Sequence, residues 1–137
     1  MTESTLIGIA IYVYLASWIG YLLDAAFRRR WSAVGADLLV VCGLSVHALA
    51  IGLRWAESYR LGMGHAPLSN LYESMVFFSW ALGVVYLLAL RKLRARILGV
   101  FVMPLVFLAL ASTSLMHRGI EPLMPALQSN WLTAHVI

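Results

Sequence analysis

Four long apolar runs decide what this chain can fold into. Leu6–Phe27, Ala33–Trp55, Leu71–Leu90 and Ile97–Met116 are each dominated by Leu, Val, Ala, Ile and aromatic residues. A helix needs roughly 20 residues to cross a hydrocarbon core, and each run supplies that length. None alternates polar and apolar residues with period two, which argues against a transmembrane β-barrel. The expected fold is therefore all-α, a single polytopic membrane domain over residues 1–137. Its four transmembrane helices are expected at about 6–27, 33–55, 71–90 and 97–116. Composition agrees: 62% of the 137 residues are hydrophobic and 12% charged, too little charge to cover a water-soluble surface. The first run is too long for the apolar core of a signal peptide, has no basic stretch before it, and is followed by Arg28, Arg29 and Arg30. It reads as an anchor, not as a cleaved leader.

Charge gives the threading. The first turn holds Arg28, Arg29 and Arg30, and the third holds Arg91, Lys92, Arg94 and Arg96. The other side carries only Arg54, Arg60 and Arg118. The positive-inside rule makes the seven-cation side cytoplasmic, with loops 28–32 and 91–96. The N-terminus, the loop 57–70 and everything after Met116 then lie on the outer side of the membrane. The net charge of +4 comes from residues at helix ends and forms no basic face for nucleic acid. Trp31, Trp55 and Trp80 fit interfacial or packing aromatics. The lone cysteine, Cys42, allows no disulfide within the chain and reads as a small packing residue.

Local signals mark the third and fourth runs. Asn70 is placed to cap the third helix, with Glu73 three residues on reaching back as in a capping box and Pro67 stiffening the approach. Pro104 is a kink site in the fourth run, and Gly119 and Pro122 break the chain after it. A tail helix is expected over about 122–136, where Leu123, Leu127, Trp131 and His135 share one face. It is too short to span, and either lies in the interface or begins a fifth helix. The pattern stops at Ile137 without a cap or polar tail, so the chain is expected to be part of a longer protein.

Histidines are the main candidates for chemistry. His47 lies within the second run, where an imidazole needs a partner or a function. A hydrogen bond to a neighbouring helix is the plainer account. His65 reads as an exposed loop residue and His117 as a solvated helix end. His135 stands one turn after Trp131, a pair that either sits at the interface or frames a flat cofactor whose iron takes histidine. No zinc pattern, glycine-rich phosphate loop or nucleophile–base spacing is present. From the residues alone, two readings stand beside a haem site: a transporter or channel fragment using Asp24, Asp37 and His47, and a non-catalytic membrane scaffold.

Two segments carry a resemblance. Gly64-His65-Ala66-Pro67-Leu68-Ser69-Asn70-Leu71-Tyr72-Glu73-Ser74, running into Phe77, Phe78 and Trp80, is the first. Leu123 to Val136, containing Trp131 and His135, is the second. Both resemble cytochrome c assembly membrane proteins of the CcsA (ResC, CcsB-named) type, and Arg54-Trp55 before the loop fits as well. The resemblance implies cytochrome c biogenesis: haem b is brought to the outer face as a transported substrate. With a partner subunit, it is then attached to apocytochrome c. It implies that His135 is an axial ligand of the haem iron and that Trp131 packs near the ring. It gives His47 and His65 no ligand role, so His65, Pro67, Asn70 and Glu73 are taken as a structural motif. Full-length members act as haem lyases; the second external histidine and the tryptophan-rich segment have no counterpart here. This N-terminal part is not expected to act alone.

Overall fold

The computed structural model describes residues 2–62, 68–93 and 95–116, with residue 30 described by its backbone alone. Every element among them is helical: α1 (Glu3–Phe27), α2 (Arg30–Arg60), α3 (Leu71–Leu93) and α4 (Ile97–Ser112), ending in a short 3-10 turn (Thr113–Leu115). All four helical segments are long and apolar enough to cross a membrane. They form an antiparallel bundle in which α1 packs on α2 and α4, and α3 packs on α4 and, less extensively, on α2. One end gathers the helix starts and stops at Phe27, Arg30, Leu93 and Ile97 and is called the basic end below. The opposite, N-terminal end gathers Glu3, Arg60, Leu71 and Leu115.

The second helix runs past the expected end at Trp55 to Arg60. Its apolar run does stop at Trp55, but Ala56 and Glu57 are good helix formers. An exposed Glu57–Arg60 pair at 3.8 Å lies along the extension. Residues 57–60, expected in the outer loop, are therefore helical. The first turn is tight: only Arg28 and Arg29 separate α1 from α2. Arg28 ends α1 in the left-handed region (φ 51°), its N–H bonded to the Asp24 carbonyl at 2.8 Å.

Small residues let α1 and α2 approach closely, as interfaces between membrane helices require. Gly20 faces Ala36, where an added Cβ would lie 2.9 Å from the Ala36 Cβ, and Gly43 accepts the Tyr14 ring. Ser17 donates to the Ala36 carbonyl at 3.1 Å. The α2 face turned inward reads Ala33, Ala36, Val40, Leu44, His47, Ala50 and Arg54, all buried at helical spacing. Outward faces carry large apolar side chains, among them Leu38, Leu49, Phe78, Phe101 and Leu108, the surface a lipid-facing bundle presents. Trp31, 92% exposed at the basic end, and Trp55, half-exposed at the other, bracket α2.

Pro104 sits inside a continuous α4. Lacking an N–H, it leaves the Val100 carbonyl four residues earlier without its helical donor. The Trp18 indole fills that place from α1, donating to the Val100 oxygen at 3.0 Å. An orphaned acceptor in a membrane-spanning helix is thereby satisfied by a neighbour.

Candidate functional site

The polar residues of the bundle collect at three depths. At the basic end Asp37 accepts from both Nε and Nη2 of Arg96, at 3.0 and 2.8 Å, and from the Tyr21 hydroxyl at 2.9 Å. Half-way along, His47 is fully buried, and its Nδ1 pairs with the Tyr14 hydroxyl at 3.3 Å. Among the described residues no hydrogen bond closes on its Nε2. Along the inward face of α2, buried Val40 and Leu44 stand between Asp37 and His47. The acidic and imidazole groups suspected of lining a transport path are thus separated by apolar packing, and Asp37 is already paired with a cation.

The third depth is the N-terminal end, where three helices meet on one guanidinium. Arg54 of α2 donates from Nε to Glu73 Oε1 of α3 at 2.7 Å and from Nη1 to Glu3 Oε2 of α1 at 3.1 Å. Its guanidinium carbon lies 4.7 Å from the centre of the Tyr72 ring, a cation–π contact. The Tyr72 hydroxyl donates to the other Glu3 oxygen at 2.8 Å. Arg54 and Glu73 are both buried, Glu3 partly so. Charges so far from water persist only when paired and hydrogen-bonded on every side.

The same carboxylate fastens the connection between α2 and α3. Glu73 Oε2 accepts from the Ser69 N–H at 2.7 Å and from the Ser69 hydroxyl at 2.6 Å. Asn70 caps the helix, its Oδ1 accepting from the Glu73 N–H at 2.8 Å. The backbone that Glu73 reaches is therefore Ser69, one residue before the cap, and not Asn70 as a capping box would have it. The reason is Arg54, which holds Oε1 and turns Oε2 toward the incoming chain.

Of the residues singled out from sequence, Asn70 and Glu73 belong to this cluster. His65, Pro67, His117, Trp131 and His135 lie outside the described residues, as does the expected tail helix. Among the described residues no group of three or more His, Cys, Asp or Glu side chains could hold a metal ion. Sequence reasoning missed the partnership of Glu3, Arg54 and Tyr72. The available signal was depth: two carboxylates and an arginine lie within a turn or two of the same end of three antiparallel helices.

A sequence profile described as Cytochrome C assembly protein matches residues 68–137, half of the chain. The chain belongs to this cytochrome c assembly protein family. Curated relatives named "Cytochrome c biogenesis protein CcsA" match across nearly all of it. One from Trichodesmium erythraeum is 36% identical over 141 residues, covering 98% of this chain and 38% of the relative. One from Trichormus variabilis is 41% identical over 129 residues, covering 89% of this chain and 34% of the relative. One from Synechococcus elongatus is 40% identical over 140 residues, covering 98% and 41%. The chain thus spans about two fifths of the length of the curated relatives it matches. No solved structure matches it. The family match and the four apolar helices together make it a multi-pass membrane protein. The stretch matched by the family profile begins at residue 68, and the Arg54–Glu73–Ser69 cluster ties its first residues to α1 and α2, which precede it.

Proposed function

We propose that this chain serves cytochrome c biogenesis as part of a haem-presenting membrane protein. Haem b is the cargo, His135 an axial ligand of its iron, and Trp131 a packing surface for the ring. A partner subunit and apocytochrome c complete the haem-lyase complex. The family profile over residues 68–137, which includes both Trp131 and His135, is the observation that carries the reading. Basic residues at one end of the bundle set the orientation: the N-terminal end faces outward from a bacterial cytoplasmic membrane, and Arg28, Arg29, Arg91, Lys92 and Arg96 face the cytoplasm.

In this account the bundle positions and does not react. Arg54 holds the starts of α1 and α3 together on the outer side, and Glu73 fixes the entry into α3 through Ser69. An imidazole ligand sets the iron potential through its identity and burial, and holding haem against incoming thiols raises the rate by proximity. The transporter reading is disfavoured by the packing of Val40 and Leu44 between Asp37 and His47.

The test uses the full-length protein. His135→Ala should lower the haem absorbance of the purified protein and cytochrome c maturation in cells. Unchanged haem content together with unchanged maturation would sink the proposal.

A further inference from the structure

Although consecutive, α2 and α3 are the neighbouring helices that pack least extensively. Toward the N-terminal end they are joined by Arg54–Glu73, and half-way along by the Trp80 indole, which donates to the Leu44 carbonyl at 3.2 Å. Leu44 also packs into the space left by Gly83. Beyond Leu44, toward the basic end, the helices part. The cleft between them measures about 560 Å³, with Leu38, Val41, Leu87 and Leu90 as walls and Asp37, Arg91 and Arg96 at its mouth.

We propose that this cleft is a binding site for an anionic phospholipid. Its walls are aliphatic and Leu38 and Val41 are exposed, so an acyl chain lying along the helices finds continuous apolar contact. Its mouth lies where α3 ends at Leu93 and α4 begins at Ile97, the depth of lipid headgroups. Among the described residues that line the cleft, one carboxylate, Asp37, stands with two guanidiniums, and Asp24 also acts on Arg96, so the uncommitted positive charge is that of Arg91. Arg96 is committed to Asp37 through Nε and Nη2, whereas Arg91 is exposed and makes no ion pair among the described residues. Arg91 is therefore the cation offered to a headgroup of single negative charge. Basic pockets between membrane helices recognise anionic lipids in this way.

The other anionic amphiphile in this system, haem, fits less well. No His, Cys, Met or Tyr lines the cleft, so the iron would find no axial donor. A further protein helix is the other candidate occupant, and cross-linking from position 38 separates it from lipid. The lipid site does not depend on the haem proposal or on the orientation of the chain, because the charge and shape of the cleft alone define it.

Native mass spectrometry of the full-length protein, titrated with phosphatidylglycerol or phosphatidylcholine, tests the site. Phosphatidylglycerol should be retained where phosphatidylcholine is not, and Arg91→Gln should weaken that retention about fivefold, the effect of one cation near a lipid surface. Val41→Trp, which fills the cleft without changing charge, should remove it; if that variant does not fold, Arg91→Gln alone decides. Equal retention by the wild type and Arg91→Gln overturns the proposal, and so does phosphatidylcholine held as tightly as phosphatidylglycerol. A photoreactive side chain at position 38 that cross-links to protein instead of lipid does the same. Displacement of the lipid by haem would also overturn it, by assigning the cleft to the cargo.

Discussion

The Arg54 Nε donates to Glu73 Oε1 at 2.7 Å, and neither side chain is more than 3% exposed. Removing one partner of such a pair leaves the other charge buried without compensation, at a cost of about 3–5 kcal/mol. Arg54→Ala should destabilise the protein by that amount in detergent unfolding measurements. Exchanging both partners for apolar residues, Arg54→Met with Glu73→Leu, should recover only part of the loss, because the Ser69 N–H and the Glu3 carboxylate each lose a partner. Glu3→Gln should cost less, because Glu3 is partly exposed and keeps the Tyr72 hydroxyl as a donor. A double replacement no better than Arg54→Ala alone would show that the charge itself is required.

The four helices were legible because each apolar run exceeds a membrane's thickness, and no tertiary information is needed to see that. The end of α2 was not, since Ala56–Arg60 is polar yet helical, and polarity alone reads as loop. The Asn70 cap was legible as a local signal of three residues. Arg54 reads as a charge on the outer side and, with Trp55, fits the family resemblance; neither reading pairs it with Glu3. Their meeting depends on how α1, α2 and α3 pack, and Glu3 stands 51 residues from Arg54 and 69 from Tyr72. Pro104 was legible as a disturbance in α4, but its remedy, Trp18, is 82 residues from Val100 and carries no local mark.

That remedy can be measured. Trp18→Phe keeps most of the ring's bulk against Phe107, its neighbour at 5.6 Å between ring centres, but leaves the Val100 carbonyl without a donor. The expected cost is about 1–3 kcal/mol, that of an acceptor left unsatisfied away from water. In a Pro104→Ala background the helix supplies its own N–H, and Trp18→Phe should then cost clearly less. Equal costs in the two backgrounds would mean that the indole acts only through packing.

Gly99 is where two tyrosines close on α4. A Cβ there would lie 2.5 Å from the Tyr86 hydroxyl and 2.6 and 2.7 Å from the Tyr21 ring, whose own hydroxyl bonds Asp37. Gly99→Ala should therefore destabilise by about 1–3 kcal/mol through overpacking. Tyr86→Phe should relieve only part of this, because the Tyr21 ring still blocks the added methyl group. Gly35 is the control: an added Cβ meets nothing within 4 Å, so Gly35→Ala should be neutral or stabilising.

The proposed division of labour between the bundle and residues 122–136 separates two ways of losing haem. If Arg54 and Glu73 position the start of the family segment while His135 binds the iron, the two classes of variant should fail differently in the full-length protein. Arg54→Ala should lower the unfolding midpoint and haem content together, because it loosens the ends of α1, α2 and α3 that anchor Ser69 and Asn70. His135→Ala should lose haem while its midpoint, compared with the haem-free wild type, stays within about 2 °C. Added imidazole should restore haem absorbance to His135→Ala by taking the vacated coordination position, and should do nothing for Arg54→Ala. Recovery of both variants, or of neither, would place His135 among the structural residues and not on the iron.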